Sequence, residues 1–363
     1  MRTSFEIASS TGSYDVRIAP GAMDEVLAQS SEAIFVADAF FGERLKSAGL
    51  DPILISADER AKSLDRMSDL ILAMRKRGAT RATKLVAIGG GVVQDAASFA
   101  ASVYMRGIDW VYAPTTLLSM TDSCIGGKSS INVGGYKNIV GSIHPPSEVV
   151  IDPSLAQTLS SEQVAAGLCE AAKIALCRGP ETLDRYFELA PGKRSDPAAL
   201  TDVIALSLQA KKWFIEIDEF DRAERLLLNF GHTFGHALES ASEFTISHGI
   251  AVGMGMLTAF HFGEAQGRNY ARAPNVAAFR NHVAELVGSA GEYGPSPVPM
   301  PLPALLDAFR ADKKHQAAQF AFILPTEDGR IERVMLPRNE QVTAAVERAF
   351  STMLEQWHAR AAV

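Results

Sequence analysis

The sequence has little of several features that mark particular classes of protein. Its 363 residues include three cysteines, Cys124, Cys169 and Cys177, too few and too unevenly spaced for a disulfide framework or a thiolate metal site. No apolar run reaches the roughly 18 residues that span a bilayer, and Glu6 and Asp15 interrupt the stretch where a signal peptide would be apolar. These absences predict a cytoplasmic protein without a membrane contact.

Positive charge is also scarce. Lys and Arg total 35 against 42 Asp and Glu, which gives a formal net charge of −7. Without a basic stripe to neutralise phosphates, a nucleic-acid partner is not expected. With 47% hydrophobic and 21% charged residues, the chain can bury a core, and its length suits two domains. We therefore predict a globular protein that acts on a small molecule.

The first part of the chain alternates predicted strands and helices. Short strands near Phe5–Ile7 and Tyr14–Ile18 precede the apolar run Ala33–Ala37. A helical pattern then covers Asp65–Arg77, and the apolar strand Lys84–Ile88 leads directly into three glycines. This alternation favours a parallel or mixed sheet covered by helices on both faces.

From about Ser160 onward the pattern is helical, and Ser160 with Gln163 predicts a capping box. Helical spacing covers the segments 161–177, 199–217, 228–242 and 249–265. Gly291–Pro303 is rich in proline and indicates an irregular loop, while Phe320–Leu324 and Ile331–Leu336 suit a late hairpin.

The change of pattern predicts a domain boundary near residue 155. Residues 1–155 would form an α/β domain. Residues 156–363 would form a mainly α-helical domain.

The run Gly89–Asp95 stands where a strand gives way to a helix. Glycines there let the backbone approach a pyrophosphate, and the free amides at the helix start point toward it. The spacing is not G-x-G-x-x-G, so a simple tight turn and a cofactor-binding turn both remain open.

Polar groups of several kinds recur around glycines between Pro114 and Asn138. They belong to Thr115, Thr116, Asp122, Lys128, Lys137 and Asn138. A solvated loop would explain the glycines and one lysine. The mixture of hydroxyl, carboxylate, ammonium and amide groups better suits a polyhydroxylated anionic ligand.

Three histidines indicate a divalent-metal site. His232 and His236 are four residues apart on one predicted helix face, His248 begins another segment, and Glu170 offers a carboxylate upstream. Satisfied core histidines are the alternative. Spacing alone does not say which two histidines bind, although the pair four residues apart is the simplest choice.

Basic residues accompany these histidines on predicted helices: Lys173, Lys211 and Arg225. Arg225 precedes His232 by seven residues, so one continuous helix would place both on the same face. Surface ion pairs with neighbouring acidic residues are one interpretation, and an anion-binding cradle is the other. Asp312–Lys314, taken alone, indicates an exposed run of charge.

The ordered set of motifs resembles the 3-dehydroquinate synthase family, the sugar phosphate cyclases, from about Asp38 to Lys314. The matching blocks are Gly89–Val93 with Asp95, Tyr104–Gly107, Pro114–Leu118, Asp122 with Ser123, Gly126–Lys128, Lys137 with Asn138, Gly167 with Glu170 and Lys173, Leu228–His232 with Gly235 and His236, and Ser247–Gly249. The resemblance implies a Rossmann-like N-terminal dinucleotide-binding domain and a mainly α-helical C-terminal domain that binds metal and substrate.

The resemblance also implies a catalytic zinc, or cobalt in its place, held by Glu170, His232 and His248. It changes His236 from a metal ligand to a group that contacts substrate or transfers a proton. Positions that would bind NAD are Asp38, Glu59, Lys62, Gly89, Gly90, Gly91, Val92, Asp95, Thr115, Thr116, Asp122 and Lys137.

The same comparison implies how the substrate would be held. Its phosphate would be bound by Lys128, Asn138, Asn229, His236 and one of Lys313 or Lys314. The pocket would be completed by Asp122, Lys137, Lys173, Lys211 and Arg225. Arg106 would reach across a homodimer.

The implied activity is conversion of 3-deoxy-arabino-heptulosonate 7-phosphate to 3-dehydroquinate, a step of the shikimate pathway. It proceeds by transient oxidation with NAD, β-elimination of phosphate, reduction and an intramolecular aldol step. Arg225 with Lys211 would bind the substrate carboxylate. The chain departs from the usual family pattern at Phe40, at Ala57–Asp58 and at Gln94, all near the expected NAD site.

Three alternatives remain open at this point. One is a non-catalytic relative that binds sugar phosphates. Related cyclases that make an aminodehydroquinate, 2-deoxy-scyllo-inosose or a valiolone share the same machinery. Metal- and NAD-dependent alcohol dehydrogenases use a related scaffold. A dehydrogenase would accumulate NADH, whereas a cyclase releases phosphate and leaves NAD unchanged.

Overall fold

The structure of the chain, a computed structural model, describes residues 2–29, 32–134, 136–189, 197–291 and 300–361. The chain divides into two compact units. The first comprises Met1–Thr158 and Ser195–Leu208, and the second comprises Leu159–Arg194 and Gln209–Val363. The sequence predicted a boundary near residue 155, which would place the segment 195–208 in the second domain. In the structure this segment belongs to the first unit.

A seven-stranded sheet forms the centre of the first unit. Its strands are β1 (Thr3–Ser9), β2 (Gly12–Ile18), β3 (Ile34–Asp38), β4 (Ile53–Ile55), β5 (Leu85–Gly89), β6 (Trp110–Pro114) and β9 (Glu148–Ile151). They lie in the order β1-β2-β9-β6-β5-β3-β4, and every pair is parallel except the hairpin β1-β2. Two further strands, β7 (Ile131–Val133) and β8 (Tyr136–Val140), form a separate antiparallel pair.

The helices of the first unit connect these strands. They are α1 (Ala22–Gln29), α2 (Gly42–Ser47), α3 (Leu64–Lys76) and α4 (Gly91–Val103), with 3-10 turns at Ala39–Phe41, Glu59–Lys62, Tyr104–Arg106 and Pro153–Thr158 and a π turn at Ser119–Ser123. Every residue of β5 and β6 is buried, which explains why their sequences are continuous apolar runs rather than alternating ones. The predicted strands and the helix near 65–77 are confirmed.

The second unit is mainly helical. Its elements are α5 (Ser161–Arg178), α6 (Pro180–Glu188), α7 (Pro197–Ile217), α8 (His232–Ala241), α9 (His248–Ala265), α10 (Pro274–Gly291), α11 (Leu302–Arg310), β10 (Gln319–Pro325), β11 (Ile331–Pro337) and α12 (Glu340–Ala361). The first half of α7 belongs to the first unit. The capping box is confirmed, because Ser160 Oγ accepts from the backbone of Gln163 and the Gln163 side chain accepts from the backbone of Ser160.

The core of the second unit surrounds α9. Residues 249–260 of this helix are all buried and almost all apolar, as the central part of a helix surrounded by a core must be. Phe262 of α9 stacks on Phe322 of the hairpin β10-β11 with 4.2 Å between ring centroids, and Phe234, Phe309 and Phe350 extend the same aromatic cluster. The predicted late hairpin is thereby confirmed as part of this core.

One predicted helix begins later than expected. The segment 228–242 forms α8 only from His232, because Gly231 adopts a left-handed conformation with φ of 79° and Glu224–Asn229 is a 3-10 turn. Arg225 and His232 therefore do not share a helix face, and that prediction is wrong. Within the predicted loop Gly291–Pro303, residues 292–299 lie outside the described residues. None of the described helices is long and apolar enough to cross a membrane.

Candidate functional site

In the first unit, the strand order places the crevice expected of an open α/β sheet at the carboxyl ends of β3 and β5. The chain runs from β3 outward to β4 and then returns to the other side of β3 as β5, so these two strands flank a topological switch point. Ligands of open α/β sheets bind at such points. Asp38 ends β3 and Gly89 ends β5, and the register that pairs Ala37 with Ile88 brings them to the same edge.

The three glycines after β5 have different surroundings. A Cβ on Gly89 would lie 2.5 Å from the Val93 side chain, and one on Gly90 would lie 2.9 Å from Thr116. Gly91, the first residue of α4, has no heavy atom within 4 Å of where a Cβ would be, apart from its chain neighbours and the backbone of its own helix. The start of α4 therefore offers backbone amides beside open space, an arrangement that fits a pyrophosphate.

A polar network lies beside this crevice. Lys62, 8% exposed, places Nζ 2.9 Å from Asp95, 3.1 Å from Glu59 and 3.2 Å from the side-chain oxygen of Asn138. Burial acts to lower the pKa of Lys62, but Asp95 and Glu59 raise it above its usual value. Asn132, absent from the residues predicted from sequence, donates to Glu59 at 3.1 Å. The network fits the ribose and amide ends of a nucleotide.

Other predicted residues of the first unit take separate positions. Lys137 Nζ lies 3.6 Å from Glu59, next to the network, and the Thr116 hydroxyl lies 2.7 Å from Ser119 Oγ. Asp122 lies on the π turn. Lys128 and Arg106 are exposed.

In the second unit, Glu170 on α5, His232 at the start of α8 and His248 at the start of α9 bring one donor atom each within 4.8 Å of one another. The Nε2 atoms of His232 and His248 lie 3.8 and 3.6 Å from Oε1 of Glu170. Zinc bonds of about 2.1 Å in a tetrahedral arrangement require donor separations of about 3.4 Å. The spacing therefore fits a divalent cation after small adjustments.

Close approaches between helix backbones bring these donors together. A Cβ on Gly249 would lie 2.4 Å from the carbonyl oxygen of Ala166 on α5. A Cβ on Gly255 would lie 2.1 Å from the carbonyl oxygen of Gly231, directly before α8. Because both positions are glycine, α9 can lie against α5 and the start of α8 closely enough for the three side chains to meet.

The other nitrogen of each ligand histidine faces an acceptor. Nδ1 of His232 lies 3.3 Å from the carbonyl oxygen of Phe230, and Nδ1 of His248 lies 3.2 Å from Oε2 of Glu239. With the proton on Nδ1, each Nε2 presents a lone pair, as metal-ligating histidines do. Glu239 is absent from the predicted residues, although it follows His232 by seven positions and lies on the same helix.

The electrostatics of the donor set also fit a metal. Burial, together with the Lys173 ammonium, lowers the pKa of His232 well below its usual value, so this ring is neutral near pH 7. Burial acts in the same direction on His248, but Glu239 outweighs it and raises the pKa of that ring. Glu170 and Lys173 form a buried ion pair. A divalent cation would be a second positive partner for this fully buried carboxylate.

His236 belongs to a second cluster close to these donors. Its Nδ1 lies 3.5 Å from Asp312 and 3.3 Å from Nζ of Lys314, and Lys314 lies 2.7 Å from Asp312. The His236 ring is 5.5 Å from that of His232 and 6.1 Å from that of His248. We call His236, Asp312 and Lys314 the His-Asp-Lys cluster.

The His-Asp-Lys cluster answers two questions that the sequence left open. Lys314 joins it, whereas Lys313 is exposed. The Asp312 side chain is only 4% exposed, so it does not belong to an exposed charge run. Burial opposes its ionisation, but His236 and Lys314 hold its pKa below the usual range.

A second donor group among the described residues is His236, Glu239 and His248. In this group Glu239 is hydrogen-bonded to His248 Nδ1, and Nδ1 of His236 faces Asp312. We therefore interpret this group as the support of the first one.

Arg225 and Lys211 are almost fully buried, with 4% and 7% exposure, which excludes the surface ion pairs considered above. Arg225 donates from Nη1 to the carbonyl oxygen of Glu219 at 2.6 Å. Burial would raise the pKa of Asp218, but backbone N–H groups, including that of Arg225 at 3.1 Å, lower it. Asp218 thereby fixes the turn that carries Arg225, and Asn229 donates to a carbonyl within the same turn.

The two units together define a class of enzyme, one that combines a nucleotide crevice in an α/β unit with a carboxylate-histidine metal site in a helical unit. Comparison with known sequences specifies the family within that class. The chain belongs to the 3-dehydroquinate synthase family: residues 52–166 match the region described as "3-dehydroquinate synthase N-terminal" and residues 167–315 match "3-dehydroquinate synthase C-terminal".

Relatives at the sequence level are bacterial. The chain is 37% identical over 295 residues to a 3-dehydroquinate synthase of Xanthomonas oryzae pv. oryzae, covering 78% of this chain and 76% of that protein. It is 38% identical over 299 residues to the 3-dehydroquinate synthase of Xanthomonas campestris pv. campestris, covering 78% and 77%.

Solved structures with the same fold include two other cyclases. A 2-deoxy-scyllo-inosose synthase complexed with carbaglucose-6-phosphate, NAD+ and Co2+ has a TM-score of 0.82 and 22% identity, covering 95% of this chain and 100% of that one. The 2-epi-5-epi-valiolone synthase of Streptomyces hygroscopicus, with NAD+ and Zn2+ bound, has a TM-score of 0.78 and 28% identity, covering 96% and 98%. An iron-containing alcohol dehydrogenase of Thermotoga maritima shares the fold at a TM-score of 0.60 and 14% identity, covering 94% and 97%.

Proposed function

We propose that the protein is a sugar phosphate cyclase that converts 3-deoxy-arabino-heptulosonate 7-phosphate to 3-dehydroquinate and phosphate. The observation that carries the proposal is the position of the His-Asp-Lys cluster beside the Glu170, His232 and His248 donors in one unit. An enzyme that eliminates phosphate needs a cationic phosphate site close to its Lewis acid, whereas a simple alcohol dehydrogenase does not. Membership of the family supports the same activity.

The proposed cofactors are NAD and a divalent metal, zinc or cobalt, as in the two cyclase structures. When bound, the metal would polarise a substrate oxygen while NAD accepts and returns a hydride, so that the reaction has no net redox change. Glu170, His232 and His248 would hold the metal through Oε1 and the two Nε2 atoms. The turn Gly89–Gly91 and Asp38 would hold NAD, together with the Lys62 network.

The chain's own residues would bind and release the phosphate. Lys314 Nζ lies 3.3 Å from Nδ1 of His236 and donates to Asp312 at 2.7 Å. These contacts place an ammonium and an imidazole side by side, where both would bind the phosphate. Contacts of these two groups with a phosphate would be charge-assisted and therefore stronger than neutral hydrogen bonds. Elimination would break the C–O bond to phosphate in this site after a transient ketone has made the neighbouring C–H acidic, and the departing phosphate itself would accept that proton. Lys128, Asn138 and Asn229 are assigned to the phosphate by family position alone.

Two buried cations favour a substrate with a carboxylate. Arg225 and Lys211 lie in the same unit as the metal donors and are almost fully buried. A guanidinium matches a carboxylate in bidentate geometry. The heptulosonate phosphate carries such a carboxylate, and glucose 6-phosphate and sedoheptulose 7-phosphate do not.

The decisive experiment compares these three sugar phosphates with the metal-loaded enzyme in the presence of NAD. Phosphate release and the absorbance of NADH are recorded together. We expect phosphate release only from the heptulosonate phosphate, without accumulation of NADH. Activity on a carboxylate-free sugar alone would assign another cyclase, and net NADH formation would assign a dehydrogenase.

Replacement of Arg225 tests the carboxylate assignment separately. Arg225→Gln should lower kcat/KM for the heptulosonate phosphate by an amount equivalent to roughly 2 to 5 kcal/mol, because a buried charge pair is lost. The matched control is Arg222→Gln, since Arg222 is exposed and stacks on Phe220. Equal kinetics for both variants would remove Arg225 from substrate binding.

The proposal includes a cytoplasmic homodimer in which Arg106 reaches the partner's site. Arg106 is exposed, and with Met105 it adopts a left-handed conformation, a strain that often accompanies function. Mixed dimers of Arg106→Ala and His248→Ala subunits should regain activity, because one of their two sites is intact. Inactive mixed dimers would contradict this.

All three cysteines are free and buried, as expected in a reducing compartment, so thiol titration of the unfolded protein should find all three.

A further inference from the structure

The π turn Ser119–Ser123 carries Asp122, and side chains from other helices form hydrogen bonds with the turn on both sides of that residue. Its wide geometry is marked by the bond from Cys124 N to the carbonyl oxygen of Ser119, 3.1 Å long. Such turns are rare, and they are frequently found at functional sites. Carbonyl groups at the end of a helical segment also lack partners within it and must find them elsewhere.

Two side chains from other helices bind these carbonyl groups. Gln94 of α4 donates from Nε2 to the carbonyl oxygen of Ser123 at 2.6 Å and accepts from Ser123 Oγ at 2.6 Å. Ser207 of α7 donates from Oγ to the carbonyl oxygen of Thr121 at 2.8 Å. Both belong to the first unit and are buried, with 4% and 2% exposure. The carbonyl groups of the residues directly before and after Asp122 are therefore each hydrogen-bonded to a side chain from another helix.

The chemistry of the Gln94 contact requires an amide. A carbonyl oxygen can only accept, so the group that faces it must donate. The same side chain must also accept the Ser123 hydroxyl proton. Glutamine meets both demands, whereas ionised glutamate has no donor and methionine or leucine has neither function. Because the pair is buried, loss of either bond leaves a polar group unsatisfied.

We propose that Gln94 and Ser207 are positioning residues that hold the π turn and thereby set the place of the Asp122 carboxylate in the active site. The role of Asp122 in this inference rests on the proposed function, whereas the contacts of Gln94 and Ser207 with the turn do not depend on it. Without the two side chains, the turn can relax toward α-helical spacing, which rotates Asp122 about the helix axis. The wild-type turn keeps this carboxylate in a single orientation.

The experiment combines hydrogen exchange with kinetics on the holoenzyme. Gln94→Met preserves size and removes both bonds. We expect amides of residues 119–124 to exchange at least about tenfold faster. We also expect kcat for phosphate release to fall about tenfold or more. Ser98→Ala is the control, because Ser98 is a buried residue of α4 that contacts the carbonyl of His144, outside the turn.

A second comparison tests whether Gln94 acts through Asp122. In an Asp122→Asn background, Gln94→Met should cause no further loss of kcat, whereas an independent structural effect would multiply with it. Unchanged exchange at the turn, an unchanged kcat, or independent effects would each overturn the proposal. If Gln94→Met does not fold, Ser207→Ala provides the same test. A wild-type enzyme that releases no phosphate would instead defeat the proposed function. The exchange result would still show whether Gln94 and Ser207 hold the π turn.

Discussion

Backbone forms much of the candidate site in the first unit, whereas buried charged side chains form the site in the second. The turn Gly89–Gly91 presents amide groups and open space at the start of α4, next to Asp38 on the neighbouring strand. In the second unit, Glu170, Lys173 and Arg225 are buried among helices that come from distant parts of the sequence.

This difference determines how each site depends on the packing around it. A turn between a strand and a helix is specified locally, so it tolerates change in the surrounding core. Buried charges depend on several partners at once, since a charge left without its partner is costly. We therefore expect substitutions at the site in the second unit to lower ligand binding and stability together. Substitutions in the glycine turn of the first unit should lower ligand binding without lowering stability.

The largest effect should follow from removal of a metal donor. His248→Ala should lower metal affinity at least about 100-fold and abolish turnover, because even supporting groups of a metal site are worth about 10- to 100-fold. NAD affinity should not change, because the predicted NAD residues lie in the other unit. Titration of the apoprotein with cobalt(II), followed by absorbance, measures the first quantity, and calorimetry with NAD measures the second.

A histidine on the same helix provides the control for that prediction. His261 lies on α9 and contacts Gln356 and Glu264, away from the donor set. His261→Ala should leave cobalt binding intact. Equal loss in both variants would point to disruption of α9 as a whole.

The next largest effect is expected where α9 meets α5. In Gly249→Ala, the new Cβ would lie 2.4 Å from a backbone oxygen of Ala166, which cannot rotate away. Overpacking of this kind costs about 1 to 3 kcal/mol. We expect a lower free energy of unfolding in urea together with weaker metal binding, because the same contact places His248. A loss of stability with normal metal affinity would show that the donors do not depend on this approach.

The free energy of unfolding at acid pH should depend on the His-Asp-Lys cluster. The pKa of Asp312 is lower in the folded than in the unfolded chain, so its contribution to stability is present above the unfolded value of about 4 and is lost as pH falls through the folded value. Asp312→Asn should lower the free energy of unfolding at pH 7 by about 1.5 to 3 kcal/mol and weaken its acid dependence. Urea unfolding from pH 7 to pH 3 measures both.

Asp307 provides the control for this measurement. It lies on α11, is exposed, and pairs only at the surface with Arg310. Asp307→Asn should change stability by less than about 1 kcal/mol. A similar loss in both variants would contradict the special position of Asp312.

The smallest change in stability is expected in the glycine turn. Gly91→Ala places a Cβ where no atom lies within 4 Å, so the fold should be kept and even stabilised by about 0.5 kcal/mol. The same Cβ would occupy the space assigned to the pyrophosphate, so NAD affinity should fall about tenfold. Thermal unfolding and NAD titration separate the two effects. An unchanged NAD affinity would place the cofactor elsewhere.

Sequence patterns predicted the elements well where the signal was local. The apolar runs became buried strands, and the capping box at Ser160 opened α5 as expected. The pattern at 228–242 misplaced the helix start because apolar spacing continues through Glu224–Asn229, while the left-handed Gly231 interrupts the helix. Periodicity records which residues face a core, but it does not record a change in backbone handedness.

Supporting residues were the part of the site that the sequence did not reveal. Glu239 and Asn132 carry no motif of their own, and Asp312 resembles any exposed charge run until its side chain is seen beside His236. The partner of Gln94 on the π turn is likewise invisible in a linear pattern. Each of these roles depends on a contact between distant segments.

By itself, the sequence determined the class of each unit, the glycine turn and the set of side chains that could hold a metal. These follow from local rules, because strand, turn and helix starts depend on neighbours along the chain. Tertiary structure decided which side chains meet: that Lys314 and not Lys313 joins His236, that Glu239 supports His248, and that Arg225 is buried. Those outcomes depend on helix packing and desolvation, which arise only when the helices come together.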